Sequence, residues 1–208
     1  MDGIALVAAL LGAIWPTGVV IALLRRTAPV TLADLVTFGR VLLTGVICAA
    51  AVFVFAGALP ERTWTVAILA GAALLLDAVD GQVARRTGTS TASGARFDME
   101  ADAVLLLVLS ALAALTVGWW VVAIGLLRYL FVVAGWIRPR LRGDLPFDQS
   151  RRVIAATQGV VLLVVLLPLT PVPVAIACAA VALGLLIWSF ARDIVRLERS
   201  ERSEHEYA

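Results

Sequence analysis

Residue types that often carry enzyme chemistry are rare or absent in this sequence. It contains two cysteines and one histidine, and its 17 basic residues are all arginine, so lysine is absent. Cys48 and Cys178 lie in separate apolar segments, which excludes a CxxC metal or redox motif. We expect both to be small buried hydrophobic side chains. His205, in the polar C-terminal segment, is expected to face solvent without a catalytic role.

Charged residues are scarce as well. They make up 15% of the chain against 62% hydrophobic residues, and the mean hydropathy is +0.99. This composition excludes an ordinary soluble domain. Apolar runs of ~20 residues are long enough to cross a bilayer, so the sequence predicts an all-α, polytopic transmembrane helix bundle. The predicted spans are Ile4–Leu24, Phe38–Leu59, Thr63–Val83, Phe97–Val117, Trp119–Ile137, Val153–Leu169 and Val172–Phe190.

The predicted spans divide the chain into three parts. Residues 1–30 hold an extra N-terminal transmembrane helix, which is expected to remain uncleaved because it lacks a basic leading region, and to be kinked at Pro16. Residues 31–193 form the membrane domain with a core of six helices, and residues 194–208 form a charged cytoplasmic tail.

The arginines are distributed unevenly between the two sides of the predicted bundle. If the spans alternate in direction, the connections on one side contain clusters of arginine, whereas those on the other side contain only Arg62. Positively charged connections remain in the cytoplasm. The sequence therefore predicts a multi-pass protein of the cytoplasmic (inner) membrane, with the N-terminus outside and the C-terminus inside.

Four aspartates lie where two predicted spans meet the same cytoplasmic connection. Asp77 and Asp80 are near the end of the third span, and Asp98 and Asp102 are near the start of the fourth. A carboxylate inside a bilayer is costly and marks a functional site. Carboxylate oxygens are the ligands that Mg²⁺ and Mn²⁺ prefer, so the four acids predict a divalent metal site.

The spacing of these acids places them on two helix faces. Steps of three and four residues return to the same side of a helix. At ~1.5 Å per residue, Asp77 lies ~12 Å below Arg85 and Asp102 ~9 Å below Arg96 if these arginines mark the water boundary. The similar depth predicts that the acids converge on one site. One face carries Asp77, Asp80, Gly81, Ala84 and Arg85, and the next helix carries Asp98 and Asp102 on one face.

The combined pattern resembles the signature of the CDP-alcohol phosphotransferase (CDP-alcohol phosphatidyltransferase) family, D-x-x-D-G-x-x-A-R, eight residues, G-x-x-x-D-x-x-x-D. The resemblance implies transfer of a phosphatidyl (substituted phosphoryl) group from a CDP-linked donor, expected to be CDP-diacylglycerol, to an alcohol, with release of CMP. The expected partners are these substrates, membrane lipid and a second copy of the chain as a homodimer, with no nucleic acid. Every fixed position is present: Asp77, Asp80, Gly81, Ala84, Arg85, Gly94, Asp98 and Asp102.

The resemblance also implies roles for the motif residues. The metal ligands are expected to be Asp77, Asp80 and Asp98, with Asp102 as the general base that can also touch a metal. Two Mg²⁺ or Mn²⁺ ions are expected, because four acids exceed what one hard cation usually takes from protein. The nucleotide pocket is expected to comprise Gly81, Ala84, Arg85 and Gly94.

Two further segments have alternative interpretations. Asp34, Thr37 and Arg40 hold the offsets of the family's N-x-x-T-x-x-R helix, with aspartate in place of asparagine. The segment is either a short interfacial helix near the lipid substrate or a plain anchor. The loop Arg138–Arg152 contains five arginines. They either bind anionic lipid, or Arg138, Arg151 and Arg152 bind a phosphate on the acceptor, for which glycerol 3-phosphate and inositol phosphate are candidates.

Two charged residues near the site are expected to be structural. Arg128 lies within an apolar span and should have a carboxylate or backbone partner. Glu100 is four residues after Arg96, which predicts a surface ion pair rather than a metal ligand. The alternative function for the whole chain is a non-catalytic transporter or ion-binding scaffold with a carboxylate pathway, which would not need the glycine, alanine and arginine beside the acids.

Overall fold

The protein is a bundle of α-helices. The computed structural model describes residues 2–24, 32–87, 92–137 and 149–206, and these residues form seven α-helices and no β-strand, which confirms the predicted all-α class. A 3-10 turn, Trp119–Val121, precedes the fifth helix. The helices are α1 (Asp2–Leu24), α2 (Leu32–Phe55), α3 (Trp64–Thr87), α4 (Ala92–Val117), α5 (Val122–Ile137), α6 (Gln149–Leu166) and α7 (Val172–Glu206).

The helices have the length and composition of membrane spans. Four of them contain apolar segments long enough to cross a bilayer, and α3, α5 and α6 contain shorter apolar segments. Each predicted span falls on its own helix. The chain is therefore a multi-pass membrane protein. The long segments are Gly3–Ile21, Thr37–Phe55, Glu100–Val117 and Val172–Arg192.

Helix α4 lies at the centre of the core. It packs against α2, α5, α6 and α7, and its Leu109 and Leu112 are fully buried. Helix α3 packs against α2 and α6. Because α2 contacts both α3 and α4, it lies beside the two helices that carry the aspartates.

Helix α1 packs on α2 through a pair of glycines. A Cβ atom at Gly12 would lie 2.9 Å from the carbonyl oxygen of Gly45, and a Cβ atom at Gly45 would overlap the carbonyl oxygen of Gly12. The ring of Pro16 lies next to Gly45. Small residues allow helix backbones to approach closely in membranes, and here they hold the extra helix against the core.

Helices α2 and α7 extend furthest beyond their predicted spans. The segment expected as a short interfacial helix is the start of α2, which runs without a break from Leu32 to Phe55. Helix α7 continues through Glu206, so most of the predicted tail is a helical continuation of the last span.

The small residues Ala70–Ala73 pack within the chain. Ala70 and Ala73 are fully buried in its own core. Gly71 faces Leu163 of α6, whose side chain would lie 3.6 Å from a Cβ atom at that glycine. This stretch is therefore a packing surface between α3 and α6.

Candidate functional site

An arginine on α2 joins the two helices that carry the aspartates. The Nη1 atom of Arg40 lies 2.5 Å from Oδ1 of Asp77 on α3 and 3.5 Å from Oδ1 of Asp102 on α4. The first contact is a charge-assisted hydrogen bond in which the guanidinium donates. Three helices therefore meet at one buried positive charge.

The three side chains differ in their exposure to the surroundings of the bundle. The side chain of Arg40 is 1% exposed, whereas those of Asp77 and Asp102 are 40% and 36% exposed. A ligand that approaches the junction from its open side therefore meets carboxylate oxygens first. The guanidinium lies behind them.

The backbone of α2 at Arg40 packs between α1 and α4. The hydroxyl of Thr44, one turn further along α2, donates a hydrogen bond to the backbone carbonyl of Arg40 at 3.1 Å. Its neighbour Val41 belongs to a small apolar cluster with Val19 of α1 and Ala101 of α4. Because Ala101 adjoins Asp102 in sequence, this cluster packs directly beside the charged junction.

A second ion pair lies close to the first. Nη2 of Arg128 on α5 is 3.0 Å from Oε1 of Glu100 on α4, and Asp102 also interacts electrostatically with Arg128. The structure thus confirms a carboxylate partner for Arg128. Glu100 pairs with Arg128 because α5 brings Arg128 alongside α4. The predicted pair of Glu100 with Arg96 stays a prediction, since the side chain of Arg96 is outside the described part of the structure.

The other motif residues lie on the expected helices. Asp80, Gly81, Ala84 and Arg85 belong to α3, and Gly94 and Asp98 belong to α4, which begins early enough to include Gly94. Their side chains are outside the described part of the structure. Among the side chains that are described, no group of three or more aspartate, glutamate, histidine or cysteine residues forms a metal cluster.

The predicted acceptor residues are located only in part. Arg138 lies outside the described residues, and Arg151 and Arg152 lie in the first turn of α6, with side chains that are not described. Gln158, further along α6, is buried, and its amide nitrogen donates to carbonyls of Ile154 and Ala182 at 3.3 Å and 3.1 Å. This glutamine therefore links α6 to α7.

Sequence reasoning missed the position of Arg40 as counter-ion of the aspartates. The available signal was its place inside an apolar segment, Thr37–Phe55, where an arginine needs a partner. Arg40 is eight residues after the start of α2, or ~12 Å along the helix. This is similar to the depth predicted for Asp77.

The described carboxylates suit a divalent cation. Oδ1 atoms of Asp77 and Asp102 both lie within 3.5 Å of the same nitrogen atom, so the junction already accommodates a positive charge between carboxylates from two helices. Their partial exposure leaves them accessible. Hard oxygen donors of this kind fit Mg²⁺ or Mn²⁺.

The fold and the charged junction define an integral membrane protein with a carboxylate site at one end of its helix bundle. The family described as CDP-alcohol phosphatidyltransferase matches residues 30–188, which is more than half of the chain. The chain therefore belongs to the CDP-alcohol phosphatidyltransferase family. The match begins after α1. No curated protein and no solved structure matches the chain significantly.

Membership in this family defines the class of reaction. These enzymes transfer a phosphatidyl group from a CDP-alcohol to an acceptor, and they generally use divalent metal ions. The protein is therefore a transferase of the membrane. The resemblance seen in the aspartate motif is confirmed by a match that extends over six of the seven helices.

Proposed function

We propose that the protein transfers the phosphatidyl group of CDP-diacylglycerol to a small alcohol and releases CMP, as a step in phospholipid synthesis. The observation that supports this most directly is that Asp77 and Asp102, on two helices, both lie beside the buried guanidinium of Arg40. These residues are the first and last aspartates of the family motif. A lipid-linked donor suits an active site that opens from a membrane bundle.

The proposed metal ligands are Asp77, Asp80, Asp98 and Asp102, holding two Mg²⁺ or Mn²⁺ ions. When bound, these ions would neutralise the donor diphosphate and the carboxylates that face it. The chain itself contributes the geometry, since α3 and α4 each present two of the acids and α2 holds the helices together through Arg40.

Asp102 is the proposed general base. Its carboxylate is partly exposed and is kept close to Asp77 by Arg40. It would take the proton of the acceptor hydroxyl as the acceptor oxygen bonds to the phosphatidyl phosphorus and the bond from that phosphorus to CMP breaks. Each bond formed is thus matched by one broken, and the released proton remains on the enzyme until the product leaves.

The proposed nucleotide pocket consists of Gly81, Ala84, Arg85 and Gly94. Three of these residues are small, which would allow the cytidine and diphosphate to approach the backbone of α3 and α4. Arg85 would bind a donor phosphate, because the guanidinium group suits phosphate oxygens.

The proposed acceptor carries a phosphate, with glycerol 3-phosphate and inositol phosphate as candidates. Arg138, Arg151 and Arg152 would bind that phosphate. The uneven distribution of arginine supports a cytoplasmic active site in the inner membrane, with the N-terminus outside. The active form is proposed to be a homodimer.

CMP release by the purified protein tests this function. The protein, reconstituted in lipid vesicles with labelled CDP-diacylglycerol and Mg²⁺ or Mn²⁺, is offered each candidate acceptor in turn. We expect CMP release that requires both the metal and one acceptor, with the label passing into a new lipid. Failure to release CMP with any acceptor would instead favour a transporter or an ion-binding scaffold.

A further inference from the structure

Arg40 occupies a position that the reaction chemistry alone does not explain. It lies outside the aspartate motif, its side chain is 1% exposed, and it lies behind Asp77 and Asp102 as seen from the open side. A substrate would reach the carboxylates before the guanidinium. Among the described motif residues, Arg40 contacts Asp77 and Asp102, whose carboxylates we propose as metal ligands.

The charges at this junction favour a cation between the carboxylates. Two carboxylates held close together repel each other, and the buried guanidinium of Arg40 is in turn stabilised by carboxylate partners. Arg40 provides one positive charge between Asp77 and Asp102. A divalent ion bound to the same carboxylates would provide two, and would then lie near the guanidinium, which it repels.

We propose that Arg40 is a positioning residue that acts as a built-in counter-ion. It holds the carboxylates of α3 and α4 together when no divalent metal is bound, and it competes electrostatically with the metal when one binds. Arg40 therefore stabilises the metal-free protein more than the metal-bound protein. This inference rests on the proposed metal site and adds a residue that tunes its affinity.

The test compares Arg40→Gln with the wild type in two buffers, one with chelator and one with saturating Mn²⁺, by thermal unfolding of the full chain in detergent. We expect the variant to lose more thermal stability in chelator than in Mn²⁺. Binding of Mn²⁺, followed by electron paramagnetic resonance of the free ion, should become about five-fold tighter or more, as reciprocal coupling requires. Neither measurement depends on activity.

Two further variants separate this effect from ordinary loss of structure. Arg62→Gln also removes a half-buried arginine, which donates to the carbonyls of Leu167 and Thr170 in the connection between α6 and α7. Its loss of stability should be equal in both buffers. Arg40→Lys keeps the positive charge but lacks the planar guanidinium group. In chelator it should retain most of the stability of the wild type, and this can be measured even if Arg40→Gln folds only with metal.

Three outcomes would overturn the proposal. An equal loss of stability for Arg40→Gln in both buffers would make Arg40 a purely structural residue. A larger loss in Mn²⁺, or weaker Mn²⁺ binding, would make it a residue that organises the metal site. If the wild type shows no Mn²⁺ binding, the metal site itself is wrong. CMP release, measured separately, then shows whether the protein still catalyses the proposed reaction.

Discussion

At the scale of single residues, the ion pairs of Arg40 and Arg128 are expected to differ in how much they stabilise the protein. The pair of Arg128 and Glu100 is partly exposed, with side chains 35% and 49% accessible, and such pairs stabilise a protein by ~0–1 kcal/mol. Arg40 is fully buried, so removing one of its partners leaves a charge with little access to water. We therefore expect a large loss of stability when Arg40 or one of its partners is replaced, and a small loss when Arg128 or Glu100 is replaced.

Substitution of Asp102 tests its role as base. The variant Asp102→Asn removes the proton acceptor but keeps a side chain of the same size. We expect it to retain binding of CDP-diacylglycerol while turnover falls at least ~10²-fold, the scale of lost general-base catalysis. Single-turnover CMP release and a lipid-binding assay separate the two quantities. Turnover close to that of the wild type would assign the base to another residue.

The sequence predicted that Arg128 has a polar partner but not the role of Arg40. An arginine in the middle of an apolar span is costly, so a carboxylate or a backbone partner was expected for Arg128, and the structure shows the carboxylate of Glu100. Arg40 lies nearer the start of its helix, where an arginine can also face the membrane surface. Its partner Asp77 is 37 residues away along the chain, so only the packing of α2 against α3 reveals the contact.

At the scale of helices, hydropathy predicts which segments are helical better than where they end. The seven apolar runs each became a helix. Backbone hydrogen bonds, however, continue wherever the residues are good helix formers, whether or not they are apolar. Arginine and glutamate are abundant after Phe190, and α7 accordingly continues to Glu206. The contacts between helices, such as those that bury Ala70 in the core, have no sequence pattern as clear as an apolar run.

The contact between α1 and α2 depends on close approach of two glycines. The variant Gly12→Leu should push α1 away from α2, because even a Cβ atom would lie 2.9 Å from the carbonyl oxygen of Gly45. Overpacking of this kind costs ~1–3 kcal/mol, so we expect a clearly lower unfolding temperature in detergent. The matched control is Gly18→Leu on the same helix, where a Cβ atom meets nothing within 4 Å. Equal effects of the two variants would argue against the glycine contact.

At the scale of the whole molecule, the arginine-rich side and the carboxylate site coincide. The connections that precede α2, α4 and α6, together with the adjoining helix ends, contain ten of the 17 arginines, and the motif aspartates lie at the corresponding ends of α3 and α4. An anionic donor and an anionic acceptor would both be attracted to such a surface. The same arginines are expected from membrane topology alone, so the two roles need an experiment that separates them.

Selective loss of acceptor binding separates these roles. Each charge-assisted contact to a desolvated phosphate contributes ~1.5–3 kcal/mol. If Arg151 and Arg152 bind the acceptor, Arg151→Ala and Arg152→Ala should each raise the KM for the acceptor and leave the KM for CDP-diacylglycerol nearly unchanged. A parallel change for both substrates, or a best acceptor without a phosphate, would assign these arginines to topology or lipid attraction instead.

We propose that the carboxylate junction of α3 and α4 carries out a metal-dependent transfer reaction. The most direct measurement is CMP release from CDP-diacylglycerol by wild type, Asp77→Asn and Glu100→Gln, each with chelator and with Mg²⁺ or Mn²⁺. Metal ions lower the activation barrier of such reactions by several kcal/mol. We therefore expect that chelation or Asp77→Asn lowers the rate of CMP release at least ~10²-fold. Glu100→Gln, which also changes an acid to an amide, should remain close to the wild type. Full activity in chelator, or equal rates for the two variants, would contradict it.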